Sequence, residues 1–167
     1  MIRNTNILEE LEKTKPLITE DTNFQSVLKI ISSESTPNNF IFDKLDKNRI
    51  FHLESIKKTC IDFRLRFLDQ KYFKNSLPKE AFSEISRLES THNTILSNFK
   101  IMAPSKLFRL KNTDDPLLFV PLGNNYFYLI HKWGNDLHPL RKLSMWPLKN
   151  LWNMIIFLLI LSFGLTY

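Results

Sequence analysis

Apolar residues recur at helical spacing through the first half of the chain, shift to short strand-like runs after Pro104, and close in a run with no polar face. From Asn6 to Lys15, Ile7, Leu8 and Leu11 stand at helical spacing and Pro16 stops the pattern. Asp21 suits the cap of a second helix, in which Phe24, Val27, Leu28 and Ile31 form an i, i+3, i+4, i+7 stripe. The polar stretch SSESTPNN from Ser32 to Asn39 reads as a loop, so this part of the chain is expected to fold as a helical hairpin packed on the rest of the domain.

The next stretch satisfies two templates. Phe40 to Phe42 and Ile50–Phe51 flank the polar DKLDKNR, which fits either two short strands about a turn or the approach to a helix near Glu54. Within TCIDFRLRFLD, Ile56, Cys60, Phe63 and Phe67 share a helical face. Read as a strand, Ile61, Phe63, Leu65 and Phe67 alternate with Asp62, Arg64 and Arg66. The helix-forming ESIKK before it favours a helix from about Glu54, with Arg64 and Arg66 solvated or ion-paired. Pro78 opens a clearer helix: Glu80 suits its N-terminal dipole, and Phe82, Ile85, Leu88, His92, Ile95, Leu96 and Phe99 fall on or near one face.

After Pro104, Leu107, Phe108 and Leu110 lead into a turn at Asn112 to Pro116. LLFVPL (Leu117 to Leu122) and YFYLIHKW (Tyr126 to Trp133) are strand-like about a turn at Gly123 to Asn125. Pro121 lacks a ladder donor, which places its strand at an edge or beside a bulge near its end. The expected fold class is α+β: a mainly helical N-terminal part, a short antiparallel β-meander, and a C-terminal transmembrane helix.

That last element is LWNMIIFLLILSFGLTY, Leu151 to Tyr167, with no charged residue and only Asn153 and Ser162 clearly polar. Ile155 to Leu161 cover every direction around a helix axis, whereas a buried C-terminal core helix, the alternative, normally keeps a polar side. The run is short for a span of about 18 residues or more. Counting back through Trp146, Pro147, Leu148 and Lys149, whose ammonium can reach the headgroups, makes it adequate. Trp146, Trp152 and Tyr167 suit the two interfaces. Lys132, Arg141, Lys142 and Lys149 precede the run and nothing basic follows it, which places the N-terminal body on the cytoplasmic side of an inner membrane. The expected organisation is a cytoplasmic domain over 1–133, a basic juxtamembrane linker over 134–149 and a transmembrane helix over 150–167. A tail anchor and the first span of a longer chain both fit this pattern.

Composition sharpens the picture in three places. The net charge of +6 is uneven: residues 1–40 carry four basic and six acidic side chains, while residues 100–149 carry eight and three. Positive charge therefore gathers beside the apolar run, as the positive-inside bias or attraction to anionic lipid would have it. Nucleic-acid binding is not expected, because no basic and aromatic surface or known module is legible. The start MIRNTNILEELEK lacks an apolar secretory core, and the single Cys60 and the absence of an Asn-x-Ser/Thr sequon agree with a body kept in a reducing compartment. No glycine precedes Gly123, so neither phosphate-binding glycine loop is present.

Candidate chemistry is sparse. His52, His92, His131 and His138 form no metal-binding spacing, and only His131, Asp136 and His138 lie near one another in sequence. Asp114 and Asp115 sit in a turn, where aspartate serves the backbone, and Cys60 is a nucleophile only if a histidine reaches it. No catalytic, cofactor-binding or metal residue is assigned.

The pieces DFRLRFLDQKYF (Asp62 to Phe73), APSKLFRL (Ala103 to Leu110) and DPLLFVPLGNNYFYLIHKWGNDL (Asp115 to Leu137), followed by a hydrophobic segment, resemble a group of uncharacterised bacterial membrane proteins. The resemblance covers about the second half of the chain. It implies a membrane location and a possible second span, and no activity. The leading expectation is a membrane-anchored interaction or accessory module with a protein partner, touching lipid through residues 146–167. The alternatives are an anionic-lipid sensor using Lys132 to Lys149, and a membrane-tethered enzyme using His131, Asp136 and His138.

Overall fold

LLFVPL is apolar at nearly every position because both faces of the strand it forms are covered. The computed structural model describes residues 4–15, 31, 38–105 and 116–166. In chain order these give α1 (Ile7–Thr14), β1 (Ile50–His52), α2 (Leu53–Phe63), β2 (Leu65–Asp69), α3 (Lys79–His92), β3 (Lys100–Pro104), β4 (Leu117–Gly123), β5 (Tyr126–Lys132), α4 (Arg141–Met145) and α5 (Leu151–Thr166). The strands form one antiparallel sheet in the order β1-β5-β4-β3-β2. The protein is thus α+β, and the meander expected from the second half extends back to β2.

Side-chain alternation divides the core into two layers. Phe51, Leu65, Met102, Leu117, Phe119 and Leu129 face α1 and α2, packing with Ile7, Leu11, Ile56 and Phe63. Ile50, Ile101, Ala103, Leu118, Val120 and Tyr128 face the other way, onto Ala81 and Leu88 of α3 and onto Ile31, Phe40 and Leu45. Burial on both faces removes the apolar/polar alternation that marks a half-exposed strand. Pro121 is tolerated in the central strand β4 because the register shifts between Pro121 and Gly123, so the bulge alternative holds and the edge alternative does not. At the hairpin, Gly123, Asn124 and Asn125 all have positive φ, which their residue types accept readily.

TCIDFRLRFLD divides between its two templates. The helix runs to Phe63, Arg64 turns the chain with a left-handed backbone (φ 51°), and Leu65 begins β2. Farther on, the helix opened after Pro78 stops at His92, because Asn93 adopts the left-handed cap and its N–H bonds to the Glu89 carbonyl. The stripe expected to continue through Ile95, Leu96 and Phe99 is therefore cut. Leu96 still reaches the core, but Ile95 is 84% exposed, and so is much of Phe82. The second helix expected from Asp21, the turn at Asn112 and the pair Asp114/Asp115 lie outside the described residues, apart from buried Ile31 and from Pro116.

Candidate functional site

The C-terminal end of α2 organises the side of the protein from which α5 departs. A helix C-terminus carries partial negative charge on its last carbonyls. The last turn of α2 has no basic residue of its own, and cations arrive from the C-terminal segment instead. Arg141 Nε donates to the Phe63 carbonyl at 2.9 Å, and the Lys142 ammonium lies over the Phe63 ring, 5.6 Å from its centroid. Lys142 also reaches Glu10 of α1 at 3.6 Å, and Lys149 forms an ion pair with the nearly buried Asp62.

The segment expected as a linker is accordingly fastened to the body. Thr5 and Leu137 form an antiparallel bridge with hydrogen bonds of 2.7 and 2.9 Å, and Leu137 is buried in the α1/α2 layer. Lys132 donates to Asn6 at 2.8 Å and to Asp136 at 2.9 Å. Each of the four cations counted for orientation thus has an intramolecular partner.

After Leu148 the chain turns sharply. The arm from Arg141 to Leu148 and the helix Leu151–Thr166 meet at 104°. Asn150 accepts from the Asn153 N–H at 2.8 Å, and Asn153 Nδ2 donates to the Trp146 carbonyl at 3.0 Å, so the one amide in the first turn of α5 satisfies the bend. Beyond it no side chain of α5 is buried. That disposes of the core-helix alternative. It also corrects the length: residues 146–148 lie on the other arm of the bend and Lys149 lies in the break, so none of them extends α5, whose 16 residues span about 24 Å. Among the described residues no single helix is long and apolar enough to cross a membrane, although the bent pair passes that test together.

Two adjoining clefts open beside the bend. One, of about 510 Å³, is lined by Cys60, Ile61, Arg64, Leu65, Arg66, Ser105, Leu148 and Lys149. The other, of about 290 Å³, lies between Glu54, Lys57, Lys58, Ile61, Asp62 and Lys149. Among the described residues, Lys57, Lys58, Arg64 and Arg66 have no acidic partner. The clefts escaped the sequence reading because α2, β2 and residues 148–149 meet only in the folded chain.

The residues singled out for chemistry have structural roles. His52 caps α2, its Nδ1 accepting from the Glu54 N–H at 3.3 Å, and His138 Nδ1 accepts from the Leu140 N–H at 3.2 Å. His92 is buried: Nδ1 accepts from the Ile41 N–H at 3.2 Å, and the ring meets Phe40 edge to face. Burial, with Lys44 and Arg87 nearby, lowers its pKa below the ordinary histidine range. His131 stacks on Trp133, Asp136 pairs with Lys132, and His138 caps a turn, so these three do not converge. Among the described residues no group of three or more His, Cys, Asp or Glu side chains is placed to hold a metal ion. Burial pushes the Cys60 thiol up to about 12, which leaves it protonated and a poor nucleophile at neutral pH.

No protein-family model matches the chain, nor does any curated protein or any solved structure.

Proposed function

We propose that the protein is a membrane-anchored accessory module: α5 is embedded in lipid hydrocarbon, the bend lies at the interface, and the α+β body on the cytoplasmic face presents a surface to a protein partner. The observation that carries the anchor is that α5 projects apolar side chains in every direction and none of them is buried. Ile155, Ile156, Phe157, Leu158, Leu159, Ile160 and Leu161 are between 38 and 61% exposed. A docking helix needs one apolar face, whereas contact all round suits a lipid solvent.

The bend fits this placement. With α5 along the bilayer normal, the arm Arg141–Leu148 lies 104° − 90° = 14° from the membrane plane. Exposed Leu140, Leu143, Trp146 and Leu148 then meet the interfacial region, where a tryptophan is favoured. The helix falls about 6 Å short of a 30 Å hydrocarbon core, a mismatch that local thinning accommodates at a fraction of a kcal/mol per Å. The lipid-sensor alternative built on Lys132 to Lys149 loses support because those cations are paired within the chain.

Alkaline carbonate extraction of membranes containing the full chain, or a version ending at Leu143, tests the anchor. The full chain is expected in the pellet and the shortened one in the supernatant; extraction of both removes the reading. The partner half is tested separately, by asking whether detergent-purified protein co-purifies with a stoichiometric membrane protein.

A further inference from the structure

We propose that the cleft between the end of α2, the start of β2 and residues 148–149 binds a phosphate group, carried by the headgroup of an anionic phospholipid. This rests on the anchored reading above and adds to it the chemistry of what sits beside the anchor. Arg64 and Arg66 line the cleft and have no acidic partner among the described residues, while Lys149 on its far wall shares its charge with Asp62. Arginine presents a planar fork that matches phosphate oxygens two at a time, and Ser105 adds a hydroxyl. The cleft's volume of about 510 Å³ is in the range of small-molecule sites.

Position decides the source of the phosphate. Leu148 and Lys149 form one wall, and α5 begins two residues later at Leu151, so the cleft lies at headgroup level once α5 is in the bilayer. Ile61 and Leu148, both substantially exposed, border it with apolar surface suited to the glycerol and upper acyl region. The backbone at Arg64 is a second argument. Its φ of 51° and ψ of 54° form a left-handed helix cap that glycine fills with least strain. An arginine there places its charge at the cleft at a conformational cost.

The test uses the full chain floated with vesicles of phosphatidylcholine alone, or with one-fifth phosphatidylglycerol. Anchoring alone brings the chain up with both; failure on phosphatidylcholine refutes the anchor, not the site. The site adds a preference for the anionic vesicles, which Arg64→Gln and Arg66→Gln each lower about fivefold, the equivalent of roughly 1 kcal/mol per cation at the surface. Arg64→Gly guards against misfolding, since it relieves the backbone, and it is expected to lose the same preference. Arg64→Lys/Arg66→Lys keeps the charge and removes the fork: loss of preference supports a built site, whereas wild-type behaviour overturns it in favour of a diffuse field. Equal flotation on both vesicles also overturns it. Inorganic phosphate titrated into detergent-solubilised protein is expected to bind weakly; binding as tight as that of the lipid would assign the cleft to a soluble phosphate compound and overturn the lipid assignment.

Discussion

Arginine placed successively at Ile156, Phe157, Leu158 and Leu159 separates lipid from protein as the surroundings of α5. Consecutive helical positions are about 100° apart, so four of them sample the whole circumference. The helix holds ten Leu, Ile and Phe residues. At about 0.3–0.6 kcal/mol each they favour insertion by roughly 3–6 kcal/mol. One central arginine costs about 2.5–3.5 kcal/mol and removes one of those contributions, for a total of about 3–4 kcal/mol. A single substitution therefore cancels half or more of the drive. All four side chains are exposed to a similar degree, so the loss is expected to be nearly the same at each position. The readout is the fraction of chain resisting carbonate extraction, with alanine at the same four positions as controls. Periodic loss, severe at two positions and absent at the others, would refute lipid immersion, because it would mean that α5 has one face against a protein.

Three further outcomes follow from the body. His92 is held neutral by burial, so the unfolded chain takes up its proton first; stability is full above the ordinary histidine value of about 6.5 and declines as pH falls below it. His92→Gln is expected to flatten urea-unfolding stability measured from pH 7.5 to 5, by at most one proton or about 1.4 kcal/mol per pH unit; an unchanged slope would assign the acid sensitivity elsewhere. Cys60, half-buried at the cleft with its thiol at about 12, is expected to react more slowly with iodoacetamide at pH 8 in the folded chain than in urea; equal rates would show that its surroundings do not hold the thiol protonated. Phe119 is fully buried between Phe51 and Phe67, and Phe119→Ala is expected to cost about 3–5 kcal/mol, read as a lower urea midpoint, with less than 1 kcal/mol counting against the packing.

The sequence made some parts of this fold legible and concealed others for physical reasons. The β4–β5 hairpin announces itself through Gly123, Asn124 and Asn125, whose positive φ values these residue types accept at small cost. The amphipathic α1 is equally plain, with Ile7 and Leu11 buried and Asn6 at its cap. The division at Arg64 was hidden because an arginine, not a glycine or asparagine, fills the left-handed position, so no local signal separates helix from strand. The end of α3 was obscured in a related way. Leu96 and Phe99 serve the same core from an extended segment, and a stripe of apolar residues looks continuous whether or not the helix persists. The clefts beside α5 were not legible at all, since residues 57–66 and 148–149 are brought together only by tertiary packing.

That last difference changes what the excess of basic residues means. Counted along the chain, Lys132, Arg141, Lys142 and Lys149 are the flanking charges of α5, and under the proposed anchoring they would govern its orientation while the chain is still unfolded. In the folded body the same residues cap α2, pair with Asp62 and Asp136, and tie the segment before the bend to α1 and α2. Among the described residues, the unpaired cations of the clefts are Lys57, Lys58, Arg64 and Arg66, which are remote from α5 in sequence and adjacent to the bend in space. Under the proposed anchoring, the two sets of basic residues would have two tasks: one would direct the helix during insertion and then tie the arm to the body, and the other would be available to bind phosphate. An anchor joined by a freely swinging linker would leave the depth of Arg64 and Arg66 undefined; with residues 137–149 fastened to α1 and α2, the proposed anchoring would set it.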